Sequence, residues 1–336
     1  MFIFLLFFFN LLIIFLINFF FKKFSFLIDK KQLPHKNFTS LANIPISGGL
    51  IIILNLFIFS KDYILNLFSI LIFILGIFSD LFIIKKSLKK FIIQFLILFS
   101  FIYFYEVKIL STRIFFIDYF LDNNFFSICL TLFCLLILIN GSNFIDGVNT
   151  LSCGYFILIN LVIIYLINKG VFFYDSINFF YLLLVLFIIF LFNFFSKLYL
   201  GDSGAFVLSF IFGYILINIS NNNLISISPF FILLLLWYPA FENLFSIIRK
   251  YLTKSHPYKP DHFHFHQLLF TFLKNNNFFS KHYANTFSGI FINSYNAIIF
   301  FIGSFFYNSS LQLGILIFFN ILVYTYFYII LKKKFS

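Results

Sequence analysis

Long apolar stretches alternate with short polar segments along the whole chain. Each stretch is rich in Phe, Ile and Leu and ends at charged residues, Asn, Gly or Pro. Because an α-helix crosses a membrane with about 20 apolar residues, this alternation predicts eleven membrane-spanning helices. The apolar stretches cover about 2–21, 46–60, 63–79, 91–105, 125–140, 154–168, 178–195, 204–218, 227–245, 284–306 and 311–331.

The composition agrees with this interpretation, because 62% of the 336 residues are apolar and only 10% are charged. Soluble domains are about half apolar and about a quarter charged. A soluble enzyme, a disordered protein and a secreted disulfide-rich scaffold are therefore excluded. The predicted fold class is all-α, a polytopic integral membrane protein with about 10–11 transmembrane helices.

Basic residues are distributed unequally between alternate loops. Nineteen of the 23 Lys and Arg lie in one set of loops and at the C-terminus. The positive-inside rule places this set in the cytoplasm, with the N-terminus outside and the C-terminus cytoplasmic. The formal charge of +12 therefore reports topology, and no nucleic-acid partner is expected. We expect one transmembrane domain over 1–336, with cytoplasmic loops at about 22–45, 79–90, 140–153, 195–203 and 246–283.

Two of these loops place an Asp next to an apolar stretch, where burying its charge is costly unless a cation or a basic side chain binds it. Asp80 follows Ser79 at the end of an apolar stretch, and it must bind a cation or pair with a nearby Lys. Asp202 lies between Gly201 and Ser203 at the start of another stretch. It either caps that helix or holds a hard cation, since Mg²⁺ in phosphate chemistry takes one or two carboxylates.

Polar residues recur every three positions in the third cytoplasmic loop, at Asn140, Asn143, Asp146 and Asn149. On a helical turn this spacing keeps the amide and carboxylate groups on nearly one face. Such a face suits recognition of a nucleobase or a sugar. The alternative is a helix-breaking turn rich in Asn and Gly.

Four of the six His lie within eleven residues of the fifth loop. The alternation of His262, His264 and His266 places three imidazoles on one side of an extended segment, which also suits zinc. No Cys accompanies them, and Lys259 adds positive charge. A phosphate site is therefore favoured over a zinc site.

Five motifs together resemble those of the integral-membrane polyprenyl-phosphate sugar-1-phosphate transferases, glycosyltransferase family 4. That family includes N-acetylglucosamine-1-phosphate and phospho-N-acetylmuramoyl-pentapeptide transferases. No single motif is specific, but all five occur in the family's order, each in a predicted cytoplasmic segment. The motifs are Pro45–Gly49, Gly76–Asp80, Asn140–Gly147, Gly201–Gly204 and Pro260–Gln267.

Three positions depart from the family pattern. Ser79 replaces the first Asp of a pair, Asn149 replaces a second Asp after Asp146, and Gln267 replaces the last His. The His-x-His form is similar to the hexosamine-phosphate branch rather than the muramoyl-pentapeptide branch. The departures resemble a side branch that acts in surface-polysaccharide synthesis.

The resemblance implies transfer of a sugar-1-phosphate, an N-acetylhexosamine-1-phosphate in particular, from a UDP-sugar to polyprenyl (undecaprenyl) phosphate, with release of UMP. It implies a requirement for Mg²⁺, with Mn²⁺ as the alternative, and assigns catalysis and metal binding to Asp80 and Asp202. The implied substrate-binding residues are Asn140, Asn143, Asp146, Asn149, His264, His266, Gly48, Gly49 and Lys36.

The chemistry of the acceptor favours a direct displacement. An aspartyl-phosphate intermediate at the first position of the Asp pair is excluded, because that residue is Ser79. A lipid phosphate monoester has a second pKa of about 6 and is largely dianionic at neutral pH. It therefore attacks without prior removal of a proton, and an in-line displacement assisted by a metal suffices.

Three alternatives to this function remain open. A peptidoglycan phospho-N-acetylmuramoyl-pentapeptide transferase uses the same chemistry. A secondary transporter places its polar residues near the bilayer midplane, whereas here Asp and His gather at one face; Glu242 is the exception, and we expect it to pair with Arg249. An inactive homologue is suggested by the departures and opposed by the retained Asp80 and Asp202.

The expected location is the bacterial inner membrane, with several spans and the active site facing the cytoplasm. The expected partners are the UDP-sugar, the polyprenyl phosphate and membrane lipid, and the resemblance is compatible with a homodimer. The product would initiate synthesis of a cell-envelope or surface polysaccharide.

Overall fold

The computed structural model describes residues 2–29, 43–254, 263–276 and 279–334. These ranges form fourteen α-helices and no β-strand, with β-type pairing limited to three isolated bridges. The predicted all-α class is confirmed. The helices are α1 (Phe2–Lys23), α2 (Gly48–Phe59), α3 (Tyr63–Asp80), α4 (Ser87–Tyr105), α5 (Phe115–Leu121), α6 (Asn124–Ile145), α7 (Leu151–Asn168), α8 (Phe179–Phe194), α9 (Gly201–Asn222), α10 (Pro229–Leu235), α11 (Trp237–Leu252), α12 (Phe265–Asn275), α13 (Lys281–Gly303) and α14 (Ser310–Lys333).

Eight helices in the described ranges are long and apolar enough to span a membrane, or nine if the bent pair α10 and α11 is one span. Two more apolar helices, α2 and α8, have 12 and 16 residues, fewer than the roughly 20 of a typical span. These elements account for all eleven predicted stretches, and the polytopic membrane fold is confirmed. The orientation of the termini stays a prediction. The eight long helices are α1, α3, α4, α6, α7, α9, α13 and α14.

Two short helices, α5 and α12, are absent from the sequence prediction. Helix α12 lies inside the predicted loop at 246–283 and has 11 residues, too few to register as an apolar stretch. Its apolar positions Phe265, Leu268, Leu269 and Phe272 are three and four residues apart, the spacing of an amphipathic helix.

Helix α9 lies at the centre of the molecule, and 89% of its spanning segment is buried. Neighbouring helices approach it closely at glycines. At Gly76 of α3, an added Cβ atom would lie 2.3 Å from the Cα atom of Ser203. Small residues allow this kind of packing between membrane helices. The end of α3 and the start of α9 are therefore held in direct contact.

Helices α10 and α11 form a bent element whose two parts differ in direction by 73°. Pro239 lies near the start of α11 and has no N–H for a helical hydrogen bond. From α7, the Tyr155 hydroxyl donates to the carbonyl of Leu235 at 2.8 Å. The Trp237 indole donates to Asn296 of α13 at 2.9 Å. Two neighbouring helices thus hold the bend in place.

Candidate active site

Asp80, the last residue of α3, caps the N-terminus of α9. Its two carboxylate oxygens accept hydrogen bonds from the backbone N–H groups of Asp202 (2.9 Å) and Ser203 (3.0 Å). The free N–H groups and the dipole of a helix N-terminus both favour a negative charge there. The cap considered above for Asp202 is therefore supplied by Asp80, which joins two of the five motifs.

The carboxylate of Asp202 lies beside Ser79 and Lys90. The Ser79 hydroxyl donates a hydrogen bond to Oδ2 of Asp202. The Lys90 ammonium lies 3.2 Å from the same oxygen and 2.8 Å from Oγ of Ser79. The Asp202 side chain is 20% exposed, so this cluster opens to solvent. Ser79 takes part in it as a neutral donor.

Sequence reasoning does not single out Lys90 from the other lysines after Asp80. Lys85, Lys86 and Lys89 are exposed, whereas Lys90 is half-buried in the first turn of α4. The helix dipole disfavours a cation in a first turn, so a half-buried Lys there needs an acidic neighbour. The helical position of Lys90 is the signal that points to it.

Gly48 and Gly49 lie at the start of α2 and pack against the start of α9. An added Cβ atom would lie 2.8 Å from Cα of Leu200 at Gly48, and 2.7 Å from the backbone N of Gly204 at Gly49. The Gly48 N–H also donates to the carbonyl of Tyr199 at 3.1 Å. Both glycines therefore have a packing role, and their predicted substrate contacts stay a prediction.

The four polar residues of the third loop do not share one helical face. Helix α6 extends through Asn140 and Asn143 and ends at Ile145, so the loop is shorter than the predicted 140–153. Asn143 and Asp146 are half-buried near the helix end. Beyond Asp146 the chain turns, and the predicted common face stops there.

Asn149 points into the protein instead. Its side chain is 4% exposed and donates to Oγ of Ser196 at 2.6 Å. Its backbone N–H donates to the side chain of Asn285 at 2.8 Å. Asn149 is separated from Asn143 and Asp146 because α6 ends at Ile145 and the chain turns after its C-cap, Asp146. Asn149 therefore has the environment of a structural residue.

His264 belongs to a buried network built on Glu242. Its Nδ1 lies 2.9 Å from a carboxylate oxygen of Glu242, and the Tyr324 hydroxyl donates to the other oxygen at 2.7 Å. Glu242 is 1% exposed. The expected pairing of Glu242 with Arg249 is wrong, because the two carboxylate oxygens of Glu242 are bonded to His264 and Tyr324 instead. Glu242 and Tyr324 are functional candidates that the sequence analysis missed.

Gln267 and His266 have separate roles at the start of α12. The Gln267 side chain accepts the backbone N–H of His264 at 3.3 Å, as in a capping box, which gives this departure from the family pattern a structural reason. His266 is fully buried, and both of its ring nitrogens lack a partner among the described residues. Burial lowers the pKa of His266 to about 3, so the ring is neutral.

His266 lies against the turn after α6. An added Cβ atom at Gly147 would be 2.6 Å from Nε2 of His266, so only glycine leaves room for this ring. The rings of His264 and His266 are stacked, with centroids 5.6 Å apart. The predicted extended segment of alternating His is not found, because His264 and His266 lie at the start of α12. No group of three metal-ligating residues occurs in the part of the chain that the structure describes.

Helix α4 connects the two halves of this region. Lys90 and Gln94 are four residues apart and therefore lie on one face of the helix. Lys90 contacts Asp202, and Gln94 accepts a hydrogen bond from Asn140 at 3.2 Å. The third loop in turn contacts His266. The carboxylate cluster, the Asn residues and the His residues thus form one continuous site.

Several predicted residues lie outside the described ranges. Lys36 is one of them, so its predicted substrate contact has no structural counterpart here. The others belong to the fifth loop: His256, Lys259, Pro260, Asp261 and His262.

Comparison with known proteins agrees with the resemblance that the five motifs indicate. Residues 63–220, which include α3, α6 and most of α9, match the family Glycosyl transferase family 4. The chain is also 27% identical over 229 residues to an undecaprenyl-phosphate alpha-N-acetylglucosaminyl 1-phosphate transferase of Thermotoga maritima. That alignment covers 67% of this chain and 67% of the relative. The resemblance inferred from the five motifs is confirmed, and the chain is an enzyme that transfers a sugar phosphate.

Proposed function

We propose that this chain, a glycosyl transferase family 4 enzyme over residues 63–220, transfers an N-acetylhexosamine-1-phosphate from a UDP-sugar to a polyprenyl phosphate. UMP is the second product. The acceptor class follows the name of the Thermotoga maritima relative, an undecaprenyl-phosphate transferase. The nucleotide donor and the hexosamine follow the motifs and the site.

One observation carries the proposal: Asp80 and Asp202 are held together at the start of α9, with Lys90 in contact. Two carboxylates with adjacent positive charge suit the transfer of a phosphate between two anionic substrates, since such a reaction depends on positioning and on neutralising charge. A transporter has no need of this cluster at the end of a span. The alternative of a transporter is therefore disfavoured.

The donor set fits Mg²⁺. Magnesium in phosphate chemistry is held by one or two carboxylates together with substrate oxygens and water, and Asp202 is the partly exposed carboxylate of the pair. Asp80 is more deeply buried and already holds two N–H groups, so it would act mainly by fixing Asp202. A bound Mg²⁺ would polarise the diphosphate of the donor and draw charge from the leaving UMP.

The proposed reaction is a single displacement. An oxygen of the lipid phosphate forms a bond to the β-phosphorus of the UDP-sugar, and the bond from that phosphorus to the oxygen bridging to the α-phosphate breaks. The bridging oxygen leaves with UMP. Ser79 takes no covalent part, because it donates its hydroxyl to Asp202. Lys90 and His264 would offset the negative charge that collects in the transition state.

Purified protein in liposomes containing undecaprenyl phosphate tests this proposal. With Mg²⁺ and a panel of UDP-N-acetylhexosamines, we expect UMP release that depends on both the lipid and the metal. UMP release only with UDP-N-acetylmuramoyl-pentapeptide would assign the chain to peptidoglycan synthesis instead. Uptake of intact nucleotide sugar without UMP release would favour a transporter.

The proposal also includes the side of the membrane on which the reaction takes place. We propose that the protein lies in the bacterial inner membrane, that its site faces the cytoplasm, and that its product starts a surface polysaccharide. Sealed inside-out vesicles should then release UMP from added UDP-sugar, whereas sealed right-side-out vesicles should not. Equal rates in both preparations would contradict the cytoplasmic assignment.

A further inference from the structure

The turn between α6 and α7 has a backbone that its sequence alone does not favour. Thr150 has φ of 67°, in the left-handed region that β-branched residues rarely adopt. The turn is nevertheless well buried, with Asn149 4% and Thr150 1% exposed. Contacts from other elements must therefore hold it.

Helix α13 supplies many of these contacts. The side chain of Asn285 accepts the backbone N–H of Asn149 at 2.8 Å. The amide of Asn293 donates to the carbonyls of Thr150 (2.9 Å) and Leu151 (3.1 Å). From α8, Asn193 accepts the N–H of Thr150 at 2.5 Å. The turn is thus bonded to side chains of two other helices.

The surface of α13 is shaped to receive the turn. Gly289 is four residues from Asn285 and four from Asn293, so the three residues lie on one face of the helix. An added Cβ atom at Gly289 would lie 2.2 Å from the carbonyl oxygen of Asn149. The backbones of helix and turn are therefore in direct contact between the two amides.

These Asn side chains make α13 less apolar than the other candidate spans. Its mean hydropathy of 1.3 is the lowest of the eight candidate spans in the described ranges. Polar side chains inside a membrane are costly unless they are bonded, and they often mark function. Here the bonds of Asn285 and Asn293 reach a turn that carries residues of the candidate site, Asp146 and Gly147.

We propose that Asn285 and Asn293 are positioning residues for the nucleotide-sugar site. They fix the turn so that Asp146 faces the substrate and Gly147 stays against His266. Neither residue needs to touch the substrate, because each acts through the backbone of the turn. This inference rests on the proposed function, together with the substrate-binding role that the family resemblance implies for Asn143 and Asp146.

Kinetics with each substrate varied in turn tests the inference. Asn293→Leu and Asn285→Leu should raise the KM for the UDP-sugar by about tenfold, the effect of one lost hydrogen bond of about 1–1.5 kcal/mol. The KM for polyprenyl phosphate should stay within about twofold. Asn285→Asp keeps the acceptor oxygen for the N–H of Asn149 and should restore the KM.

A matched control exists on α14. Asn320 is fully buried and accepts the Tyr295 hydroxyl at 2.7 Å, outside the turn. Asn320→Leu removes a buried amide of the same kind and should change both KM values little. Trp237, the one Trp of the chain, is bonded to Asn296 of α13 and therefore reports on the packing of that helix. Its fluorescence emission should be unchanged in every variant.

Two kinetic results would overturn the inference: equal changes in both KM values, or the same selective change in Asn320→Leu. Hydrogen–deuterium exchange across 144–152 decides independently of catalysis. Exchange must be faster in Asn285→Leu and Asn293→Leu than in the wild type and Asn320→Leu, and equal exchange overturns the inference. A wild type that releases no UMP overturns the proposed function and leaves the exchange result to judge the turn.

Discussion

At the scale of single residues, the charge at the start of α9 is balanced by a residue outside the five motifs. Lys90 contacts both Asp202 and Ser79. Where the family pattern has a further Asp, this chain has the neutral Ser79. The ammonium group of Lys90 therefore lies beside one fewer carboxylate than the family pattern would place there. Lys90 is therefore the side chain through which the departure at Ser79 is best probed.

Lys90→Met removes the ammonium group and keeps most of the side-chain volume. We expect kcat to fall by about 10²–10³-fold, the usual effect of removing one donor that stabilises developing charge. Lys89→Met is the matched control, because Lys89 is an exposed neighbour in the same turn. Equal rates of UMP release in the two variants would contradict a role for Lys90.

Glu242→Gln keeps the shape of the side chain and removes its charge. The hydrogen bond to Nδ1 of His264 then loses its charge assistance, since bonds to charged groups contribute about 1.5–3 kcal/mol and neutral ones about 0.5–1.5 kcal/mol. We expect kcat/KM to fall at least about tenfold. Glu106→Gln, at the exposed end of α4, should have wild-type activity. An active Glu242→Gln enzyme would show that His264 is held by other contacts.

The buried ring of His266 makes stability depend on pH. Burial lowers its pKa to about 3; the field of Glu242 opposes this shift and that of His264 adds to it. The unfolded chain binds this proton below about pH 6.5, and the native protein binds it only near 3. Folding stability is thus complete above about 6.5 and decreases as the pH falls toward 3.

His266→Leu removes this proton linkage. We expect its thermal unfolding temperature to fall less between pH 6.5 and about 4.5 than that of the wild type, as followed by emission of Trp237 in detergent. The same slope in both proteins would mean that His266 is protonated in the native state at these pH values.

At the scale of elements, hydropathy was sufficient for the long helices and insufficient for the irregular ones. Every apolar stretch is found as a helix or as the bent pair, because burial in lipid selects apolar residues along a whole span. Helix α12 was missed since its pattern is amphipathic. The bend between α10 and α11, at Leu236, lies inside one apolar stretch, and a hydropathy average does not detect it.

Some helices also extend further than their apolar stretches. Helix α6 carries the polar residues Asn140 and Asn143 in its last turns, so composition alone makes the loop too long. Motif order predicted the candidate site residues, and their roles stay predictions. Contacts across the chain were not, because Lys90, Glu242 and Tyr324 belong to none of the five motifs.

Contact between α3 and α9 depends on one glycine. Gly76→Ala places a Cβ atom 2.3 Å from backbone Cα of Ser203, so the helices must separate. Overpacking of this kind costs about 1–3 kcal/mol or more, and we expect a lower unfolding temperature together with lost activity. Gly314→Ala in α14 is the control, since its nearest neighbour would be 3.5 Å away. An unchanged Gly76→Ala protein would contradict the close packing.

At the scale of the whole molecule, the five motifs were predicted to face one compartment. In the structure, the described parts of the motifs meet at one site around the start of α9 and along α4. The side of the membrane is a separate question, which rests on the distribution of the 23 basic residues.

A C-terminal tag after Lys332, Lys333 and Lys334 tests that orientation. We expect protease to remove the tag from sealed inside-out vesicles and to leave it intact in right-side-out ones, as the positive-inside rule requires. The matched tag at the N-terminus should behave in the opposite way. The reverse pattern would place the site on the outer face.

The cap of α9 by Asp80 also has a consequence for the order in which the protein is made. Asp80 is synthesised long before its two partners, the N–H groups of Asp202 and Ser203. While the ribosome adds the 121 residues between Asp80 and Asp202, the Asp80 carboxylate lacks these hydrogen-bond donors. The carboxylate pair is therefore completed only after α9 has been made, and the His residues of the site follow later still.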